Sequence, residues 1–549
     1  MTDRLGIVVS GSLNKGVEVR LDPSASVEDM AVGRYVTIQG NKRRFFGMIT
    51  DVSLGVTDER LTQSPPDLSD PFIAEVLSGT STFGTLHVTP YLALGETGSV
   101  TEPEPVKTVP SHFRPVHLAS EDEISGIFGA EDKRHFWIGN PLDMETKLCL
   151  DLEGFVTRSN GIFGKSGTGK TFFTRVLLIG MLQKSRAANL IFDMHNEYGW
   201  KGTREGASPV HGLKHWGQSL VSVFTIDEQN SRSRGAPVDA VVTVGYDEIE
   251  PEDIGLLKQT LNLTDAAADA AYQLERRFGR NWIQSTLDIK DTDTLPEGLN
   301  VHEATFKNLQ RGLIKLQRLA FVQPHATGNP IEQILARLTQ GKTVVLEFGR
   351  YQDTTAYILV ANILTRRIYD QYRERMEKAT AAGRDSEKPY PLVITIEEAH
   401  RFLNPELASQ TIFGRIAREM RKYNVTLLVI DQRPSGIDDE VMSQLGTKIA
   451  FLLDNEQDVD SILAGVSGKS ELKSVIARLA PKQQAIMFGH SVPMPVAFAP
   501  REYGSRESYK ALGEAAASAA EAGSPASEPK KAARDIEDLW GPDEKSTGS

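Results

Sequence analysis

Short apolar runs separated by turn-forming residues mark the first hundred positions of the chain. Each run holds three to five residues, is rich in β-branched or aromatic side chains, and is bounded by Gly, Asn, Asp or Pro. Short strands at this spacing are typical of a small barrel. We therefore predict a β-barrel over residues 1–100. Its clearest strands are expected at 7–9, 17–21, 35–38 and 45–49.

The hydrophobic pattern changes at about residue 150. From there, apolar runs end in Gly, Asp or Glu and alternate with longer stretches of helical period. This alternation is the signature of βα units on a largely parallel sheet. We predict an α/β domain over residues 151–505 that carries a helical insertion at about 250–335. The expected buried strands are 161–163, 190–192, 344–346, 392–396 and 425–430.

The segment between these two patterns is irregular. Residues 101–115 carry four prolines among polar residues, a composition typical of a linker or of a strap over the surface. We interpret residues 101–150 as a linker and lead-in segment.

The end of the chain is poor in apolar residues. Residues 513–535 contain no Ile, Leu, Val, Phe, Tyr, Trp or Met, so little apolar surface exists there to offset chain entropy. We predict a disordered tail over residues 506–549. Near its end Ile536, Leu539 and Trp540 have helical spacing, and both a one-turn docking helix and an unbound tail are compatible with that spacing.

Composition narrows the class of protein. The 549 residues are 40% hydrophobic and 24% charged, as in ordinary globular proteins. Neither a signal peptide nor a run of eighteen apolar residues is found, so we expect a cytoplasmic protein. The one cysteine, Cys149, excludes an intramolecular disulfide and a thiolate metal cluster. The net charge of −12 argues against a surface coated with phosphate-binding residues, but it leaves room for a locally basic channel.

A phosphate-binding loop is the strongest chemical signal. The segment GKSGTGKT at 164–171 fits GxxxxGK[ST], follows a short apolar strand and precedes a helical run, which is the context that this motif requires. We expect Lys170 to reach the β- and γ-phosphates of ATP and the Thr171 hydroxyl to bind Mg²⁺. The candidate nucleotide-binding residues are Gly164, Lys165, Ser166, Gly167, Thr168, Gly169, Lys170, Thr171 and Phe172.

Hydrolysis also needs carboxylates at the ends of nearby strands. The apolar run 392–396 leads directly into Glu397 and Glu398, which we expect beside Mg²⁺ and facing the γ-phosphate, respectively. His400, two residues further on, is as compatible with a structural role. A buried strand explains this pattern better than the preference of helix N-termini for Glu does.

Two further strand ends are expected at the same edge of the sheet, because ligands gather at the carboxyl ends of parallel strands. Asp193 and Glu197 follow one strand and are candidates for the metal and water shell. Gln432 follows another and is a candidate sensor of the γ-phosphate. Each of these residue types is also common as a turn former or cap.

Arginines that neutralise the transferring phosphoryl group are the remaining requirement. Arg158 lies just upstream of the phosphate loop, and Arg418 and Arg421 lie on a predicted helix at 411–423. On that helix an apolar stripe at i, i+4 and i+8 leaves the basic residues on another face. A solvated basic face is the alternative interpretation.

Taken together, these motifs resemble the HerA family of hexameric ATPases, relatives of the FtsK translocases. The resemblance spans about residues 1–500 and rests on GKSGTGKT, DMHNEYG, ITIEEAHRFLNP, IAREMRKYN and VIDQRPSGID, in the family's order. It implies an α/β fold with a RecA-like P-loop ATPase core and a helical insertion, preceded by a small barrel. It also implies active sites between the subunits of a ring, which favours Arg158 and Arg421 as interface arginines.

The chain departs from the family pattern at two places. The family usually has Asp-Pro-His-Gly-Glu-Tyr where this chain has Met194 and Asn196 at the second and fourth positions, and it often has Gly where Met420 stands. The charged positions are kept, so we expect hydrolysis to be retained and the local loop path to differ.

The resemblance implies a homo-hexamer that uses ATP and Mg²⁺ to translocate on double-stranded DNA in a central channel. Similar motors work with a NurA-type nuclease in DNA end resection. Lys201 and Arg204 are candidate channel residues. The alternative is an ATPase scaffold of an antiviral complex that regulates another effector protein. A conjugation or chromosome pump is disfavoured because no membrane span is predicted.

Overall fold

The protein is described here by a computed structural model, which covers most of the chain. It describes residues 4–67, 69, 71–77, 81–95, 103–185, 187–204, 207–290, 299, 301–351, 354–408, 411–466 and 468–521. Within these ranges, no helix has both the length and the apolar character that crossing a bilayer demands.

The N-terminal sheet closes into an antiparallel barrel. Its strands are β1 (Arg4–Ser12), β2 (Gly16–Leu21), β3 (Tyr35–Gln39), β4 (Arg44–Val56), β5 (Thr82–Leu94), β6 (Glu104–Pro105) and β7 (Pro115–Leu118). The order is β2-β1-β7-β3-β4-β5, and β5 pairs back with β2 to close the ring. Alternate side chains such as Val17, Val19 and Leu21 are buried, as the period of a strand requires. The predicted barrel is confirmed.

The boundary predicted at residue 100 lies too early. Strand β7 pairs with both β1 and β3, so the barrel extends to Leu118. Pro115 opens this strand, a position where the missing N–H is tolerated, and Val116 is fully buried. The proline-rich sequence therefore concealed a strand that only tertiary pairing stabilises.

A twelve-stranded sheet forms the second domain, flanked by two short two-stranded sheets. The strands from β8 onward are β8 (His135–Pro141), β9 (Leu148–Asp151), β10 (Asn160–Phe163), β11 (Ala188–Asp193), β12 (Lys201–Arg204), β13 (Ala207–His211), β14 (Val221–Thr225), β15 (Ala240–Val241), β16 (Val244–Gly245), β17 (Val322–Gln323), β18 (Thr343–Glu347), β19 (Leu392–Glu397), β20 (Val425–Asp431), β21 (Thr447–Phe451), β22 (Ala485–Gly489) and β23 (Val496–Pro500). The order in the large sheet is β15-β14-β18-β11-β19-β20-β10-β21-β22-β23-β8-β9.

The large sheet is parallel on one side and antiparallel on the other. The strands from β15 to β21 run parallel, and the predicted buried strands all lie in this half. From β21 to β9 the pairing is antiparallel. Because β8 and β9 complete this half, residues 135–151 belong to the sheet and not to a linker.

Helices cover the sheet and the barrel. They are α1 (Arg60–Gln63), α2 (Pro71–Leu77), α3 (Glu121–Phe128), α4 (Leu152–Val156), α5 (Lys170–Lys184), α6 (Glu228–Ser233), α7 (Pro251–Leu256), α8 (Lys258–Leu261), α9 (Asp265–Phe278), α10 (Trp282–Asp288), α11 (Glu303–Gln317), α12 (Pro330–Thr339), α13 (Thr354–Ala381), α14 (Ile412–Glu419), α15 (Asp439–Gln444), α16 (Glu456–Ile462), α17 (Lys469–Ala477) and α18 (Arg506–Glu521).

The helical insertion is the group α7 to α11, which lies between β16 and β17 in the chain. Helix α9 shows why it packs: Ala267, Ala271 and Leu274 form one buried face at helical spacing. The predicted insertion reached residue 335, but α12 packs against β11 and β18 of the large sheet. The insertion therefore ends before α12.

The prediction of disorder from residue 506 is wrong for residues 506–521, which form α18. Tyr509 and Leu512 are buried, and the Gln183 side chain on α5 donates to the Leu512 carbonyl at 3.2 Å. These two apolar side chains anchor a helix whose remaining composition is poor in apolar residues. Residues 522–549, with Ile536, Leu539 and Trp540, lie outside the described residues.

Barrel and sheet domain are joined by specific hydrogen bonds. The buried Tyr35 hydroxyl of the barrel donates to the Pro495 carbonyl at 3.3 Å and accepts from the Ala497 N–H at 3.2 Å. On α17, the Ser474 hydroxyl donates to the Thr50 carbonyl at 3.1 Å. The barrel is therefore held to the antiparallel half of the sheet.

Candidate nucleotide site

The phosphate loop connects β10 to α5. Gly169 caps the helix with φ of 105°, a left-handed conformation that favours glycine. At Gly164, a Cβ atom would lie 2.6 Å from the Cβ of Phe451 on the adjacent strand, so only glycine fits. The backbone N–H groups at the start of α5 thus have the strand, loop and helix arrangement of an anion-binding turn.

Lys170 folds back over the loop that it follows. Its ammonium group donates to the carbonyls of Gly164 and Lys165, the latter at 2.8 Å. Burial lowers the Lys170 pKa to about 8, and the negative charges of Glu398, Asp431 and Glu397 oppose that shift. The lysine and the predicted acids therefore lie in one electrostatic environment.

Carboxylates end four consecutive strands beside the phosphate loop. From the outside inward these are Glu347 on β18, Asp193 on β11, Glu397 on β19 and Asp431 on β20, and β10 with its loop comes next. Asp193 and Glu347 are direct register partners. The predicted convergence at this edge is found, and it includes Glu347 and Asp431, which the sequence analysis did not select. The signal was present, because both follow an apolar run as Glu397 does.

Glu397 is buried, and one of its two carboxylate oxygens has a hydrogen-bond partner among the described residues. The Tyr198 hydroxyl donates to its Oε1 at 2.8 Å, whereas its Oε2 has no hydrogen-bond partner among the described residues. Burial, and next the charge of Asp193, raise the Glu397 pKa to about 8. A buried carboxylate oxygen together with the hydroxyl of the partly buried Thr171 is a hard oxygen donor set, which fits Mg²⁺.

Glu398 has a strained backbone. Its φ of 49° and ψ of 47° lie in the left-handed region, which is uncommon for a residue with a Cβ and concentrates at functional sites. The Gln432 side chain donates to its Oε1 at 2.6 Å. The structure therefore brings Gln432 to Glu398, whose charge acts on Lys170.

Asp431 and His400 form a closed hydrogen-bonded pair beside Glu398. Asp431 accepts from the backbone N–H groups of His400 and Arg433 at 2.7 and 2.6 Å, and from the His400 Nδ1 at 3.0 Å. The hydrogen bond to Asp431 raises the His400 pKa. Ligand atoms of Glu398, His400 and Asp431 lie within 4.8 Å of one another, but these contacts already occupy the Asp431 oxygens. This geometry favours a structural role for His400.

Asp193 organises the loop that follows it. Its two oxygens accept from the backbone N–H groups of Glu197 at 2.9 Å and Tyr198 at 2.8 Å. Asp193 thus has the turn-capping contacts that its residue type favours. Glu197 is tied to Arg175, which donates to the Glu197 carbonyl at 2.8 Å and lies 3.8 Å from its carboxylate.

Two of the three candidate arginines lie at the edge of the parallel sheet opposite the phosphate loop. Arg158 precedes β10 and Arg421 precedes β20, so both are at the amino ends of the parallel strands, opposite their own phosphate loop. They share a neighbourhood, because both lower the His490 pKa, second to burial. Arg418 instead bonds within the chain, to the Gly414 carbonyl at 3.0 Å and to further oxygens of the same domain.

The two candidate channel residues follow β11. Lys201 and Arg204 bound β12, which pairs with β13 as a hairpin. The hairpin begins on the carboxyl side of the parallel strands. Lys201 is exposed, and its ammonium lies 5.7 Å from the centre of the Trp200 ring.

Two family models match the chain. Residues 136–368 match the model described as the central domain of helicase HerA, and residues 5–100 match the HAS barrel domain. These matches agree with the observed barrel and α/β core.

Several curated proteins are similar over most of their length, and four of them carry the name DNA double-strand break repair helicase HerA. The protein from Saccharolobus solfataricus is 30% identical over 386 residues, which cover 69% of this chain and 71% of that protein. The protein from Pyrococcus furiosus is 24% identical over 409 residues, with the same two coverages. The protein from Sulfurisphaera tokodaii is 22% identical over 505 residues, 89% of this chain and 91% of that protein.

Proposed function

Because the chain belongs to the HerA family of ATP-hydrolysing P-loop enzymes, we propose that it is a ring-shaped motor that translocates on double-stranded DNA. The observation that carries this proposal is the convergence of the phosphate loop with Glu397, Glu398 and Gln432 at one sheet edge. The DNA substrate is inferred from the names of the similar proteins. A cytoplasmic location is part of the proposal and is consistent with a DNA substrate.

The first part of the proposal assigns the nucleotide contacts. The backbone N–H groups of 164–171 bind the phosphates, and Lys170 exchanges its two loop carbonyls for β- and γ-oxygens. Thr171 and the unpartnered Oε2 of Glu397 hold Mg²⁺, directly or through its water shell. Mg²⁺ supplies neutralisation of the phosphate charge when it is bound.

The second part assigns the proton transfer. Glu398 accepts a proton from the attacking water, since a carboxylate within hydrogen-bond reach of that water can act as its base. Gln432 holds Glu398 through the 2.6 Å hydrogen bond and lies at the end of the strand next to the phosphate loop. Asp193 and Glu197 act further out by holding the loop after β11.

The third part concerns assembly. Arg158 and Arg421 lie opposite their own phosphate loop, which supports a role for them in the site of an adjacent subunit. Developing charge on the γ-phosphoryl group is commonly met by an arginine supplied in this way. We propose a homo-hexameric ring in which each of these arginines acts in trans, and we assign Arg418 to intrachain packing.

The fourth part concerns the track and the partner. A chain of net charge −12 grips a polyanion only where basic side chains are concentrated, and we place Lys201 and Arg204 on the channel wall. Strand cutting is assigned to a separate NurA-type nuclease, with which the motor acts in DNA end resection.

ATP hydrolysis with and without DNA tests the proposal. We expect linear double-stranded DNA to stimulate the turnover of the purified protein, in the presence of its nuclease partner, and rising salt to weaken the stimulation. Glu398→Gln is the control for contaminating ATPases. A turnover that DNA leaves unchanged would overturn the motor and favour a scaffold ATPase that regulates another effector.

A further inference from the structure

One buried side chain connects the loop after β11 to the candidate metal carboxylate. Tyr198 is completely buried, and its hydroxyl donates to Oε1 of Glu397 at 2.8 Å. A tyrosine hydroxyl buried in a protein needs a hydrogen-bond partner, so satisfaction of the tyrosine alone is one explanation. The surroundings of both residues point to a more specific role.

Two contacts fix Tyr198, one with Asp193 and one with Arg175 on α5. Its backbone N–H is fixed by Asp193, as described above, and the Arg175 guanidinium lies 5.8 Å from the centre of its ring. Arg175 itself is fully buried on α5 and bonds to the Glu197 carbonyl. The ring is therefore fixed relative to the helix that begins with the phosphate loop.

The same loop is also hydrogen-bonded to the segment that follows β18. Asn196 has φ of 57° and exchanges two hydrogen bonds with the backbone of Gly349: its Oδ1 accepts at 2.9 Å and its Nδ2 donates at 3.1 Å. Asparagine tolerates the left-handed region. The position of the Tyr198 hydroxyl is thus set by covalent and hydrogen-bonded links on both sides.

A fixed donor has a defined effect on a carboxylate. One hydrogen bond to Oε1 selects a single rotation of the Glu397 carboxylate, whose terminal torsion is otherwise broad. The second oxygen, Oε2, is then held in one place and has no partner among the described residues. A metal-binding carboxylate that is hydrogen-bonded in this way is pre-oriented before its ion arrives.

We propose that Tyr198 is a positioning residue that presents Oε2 of Glu397 to the magnesium ion of the Mg–ATP complex. The proposal rests on the proposed nucleotide site and adds to it a residue that does not touch the nucleotide. The Tyr198–Glu397 contact lies within one subunit, and the proposal requires no DNA.

The matched pair Tyr198→Phe and Tyr357→Phe tests it in the full chain. Tyr357 is also completely buried, but its hydroxyl lies 3.5 Å from the backbone carbonyl of Glu397 and so does not orient the carboxylate. Both changes remove one hydroxyl and leave the ring. Thermal unfolding of both variants checks that the fold is kept.

Two measurements give the outcome. In Tyr198→Phe, we expect the Mg²⁺ concentration for half-maximal ATP hydrolysis to rise about three- to tenfold, the size of one lost hydrogen bond, with turnover recovering at high Mg²⁺. The factor by which Mg²⁺ tightens binding of a fluorescent ADP should fall by a similar ratio, while ADP binding in EDTA stays unchanged. Tyr357→Phe should match the wild type in both.

An unchanged Mg²⁺ dependence in Tyr198→Phe would overturn the proposal, even if turnover fell, because that pattern indicates packing alone. An equal shift in both variants would overturn it as well. Failure of the DNA-motor function has a different appearance: the wild type then binds Mg–ADP normally but gains no turnover from DNA, and the comparison of the two tyrosines still stands.

Discussion

Glu397 and Glu398 are adjacent in sequence, yet their surroundings differ. Glu397 is the last residue of β19 and keeps the buried orientation of the strand. At Glu398 the backbone turns into the left-handed region, which directs its side chain to Gln432 and the strand nearer the phosphate loop. One backbone conformation thus gives two adjacent carboxylates different surroundings.

Substitutions at the phosphate loop and at Glu398 should separate binding from chemistry. Lys170→Ala removes the ammonium that pairs with the phosphates, so we expect nucleotide affinity to fall at least about tenfold. Glu398→Gln keeps shape and hydrogen bonding but removes the base, so we expect ATP binding to persist and turnover to fall about a hundredfold or more. Equilibrium binding of a labelled nucleotide and steady-state hydrolysis measure the two effects.

The same measurements can contradict the assignment. Normal hydrolysis by Glu398→Gln would show that another group accepts the proton. Glu397→Gln is the useful comparison, because its loss should depend on Mg²⁺ concentration whereas that of Glu398→Gln should not.

At residue scale, chemistry was easier to predict from sequence than contacts were. The phosphate loop and Glu397 follow from motif and strand pattern. The hydrogen bonds between Asn196 and Gly349 could not be predicted in this way, because the two residues are 153 positions apart. Asn196 adopts a positive φ and makes two hydrogen bonds with the Gly349 backbone, which no local pattern reveals.

At the scale of elements, a cluster of aromatic rings and histidines attaches α18 to the hairpin after β11. The Tyr503 hydroxyl donates to the His211 carbonyl at 2.6 Å, and the Tyr509 hydroxyl accepts from the His211 N–H at 3.1 Å. The ring of His215 stacks on Trp200 with their centres 4.4 Å apart. The hairpin that carries Lys201 is therefore coupled to the C-terminal helix.

This cluster should loosen in acid. Burial, with the nearby charges of His211 and Lys201, lowers the His215 pKa from 6.5 to about 4. The folded cluster then binds fewer protons than the unfolded chain between these values, so its stability falls as pH drops through this window. For pH 5.5 against 7.5 the cost is about 1 kcal/mol. His215→Phe keeps a stacked ring without the charge and should remove that part of the loss.

Hydrogen exchange of β12, β13 and α18 measures the effect locally, which suits a protein of several domains. His211 also has a lowered pKa and is present in both proteins, so the difference between them reports His215 together with its interaction with His211. The exposed His325 provides a control, since His325→Phe should leave the acid response of this region unchanged. Equal acid sensitivity of His215→Phe and wild type would contradict the prediction.

The predicted strands of the large sheet are uniformly buried. Strands β10, β11, β18, β19 and β20 are buried along their whole length, so they read as continuous apolar runs. The antiparallel strands β8, β22 and β23 and the helix α18 were not predicted. These elements are stabilised by partners that are distant in sequence, as in the pairing of Phe498 with Pro141.

For the whole molecule, the two edges of the parallel sheet have opposite chemistry. The carboxyl edge carries the phosphate loop and four carboxylates, and the amino edge carries Arg158, Arg421 and His490. In the proposed mechanism the first edge supplies the acids and the lysine and the second supplies Arg158 and Arg421, so hydrolysis needs both edges. Stacking copies edge to edge around a ring combines them, which agrees with the proposed hexamer.

Mixing two inactive variants tests whether the edges complement each other between subunits. Arg421→Ala removes an arginine that stabilises the γ-phosphoryl group, so we expect turnover to fall strongly, up to about a thousandfold, with nucleotide binding retained. Lys170→Ala removes the phosphate contact but keeps Arg421. A mixed ring holds interfaces where an intact phosphate loop faces an intact Arg421, so hydrolysis should recover to a measurable fraction of wild type. Mixing Lys170→Ala with Glu398→Gln is the control and should recover none, because both residues lie on the carboxyl edge and every subunit of the mixed ring then has a defective carboxyl edge. Absence of recovery in the first mixture, with mixed rings verified by mass, would show that Arg421 acts within its own chain.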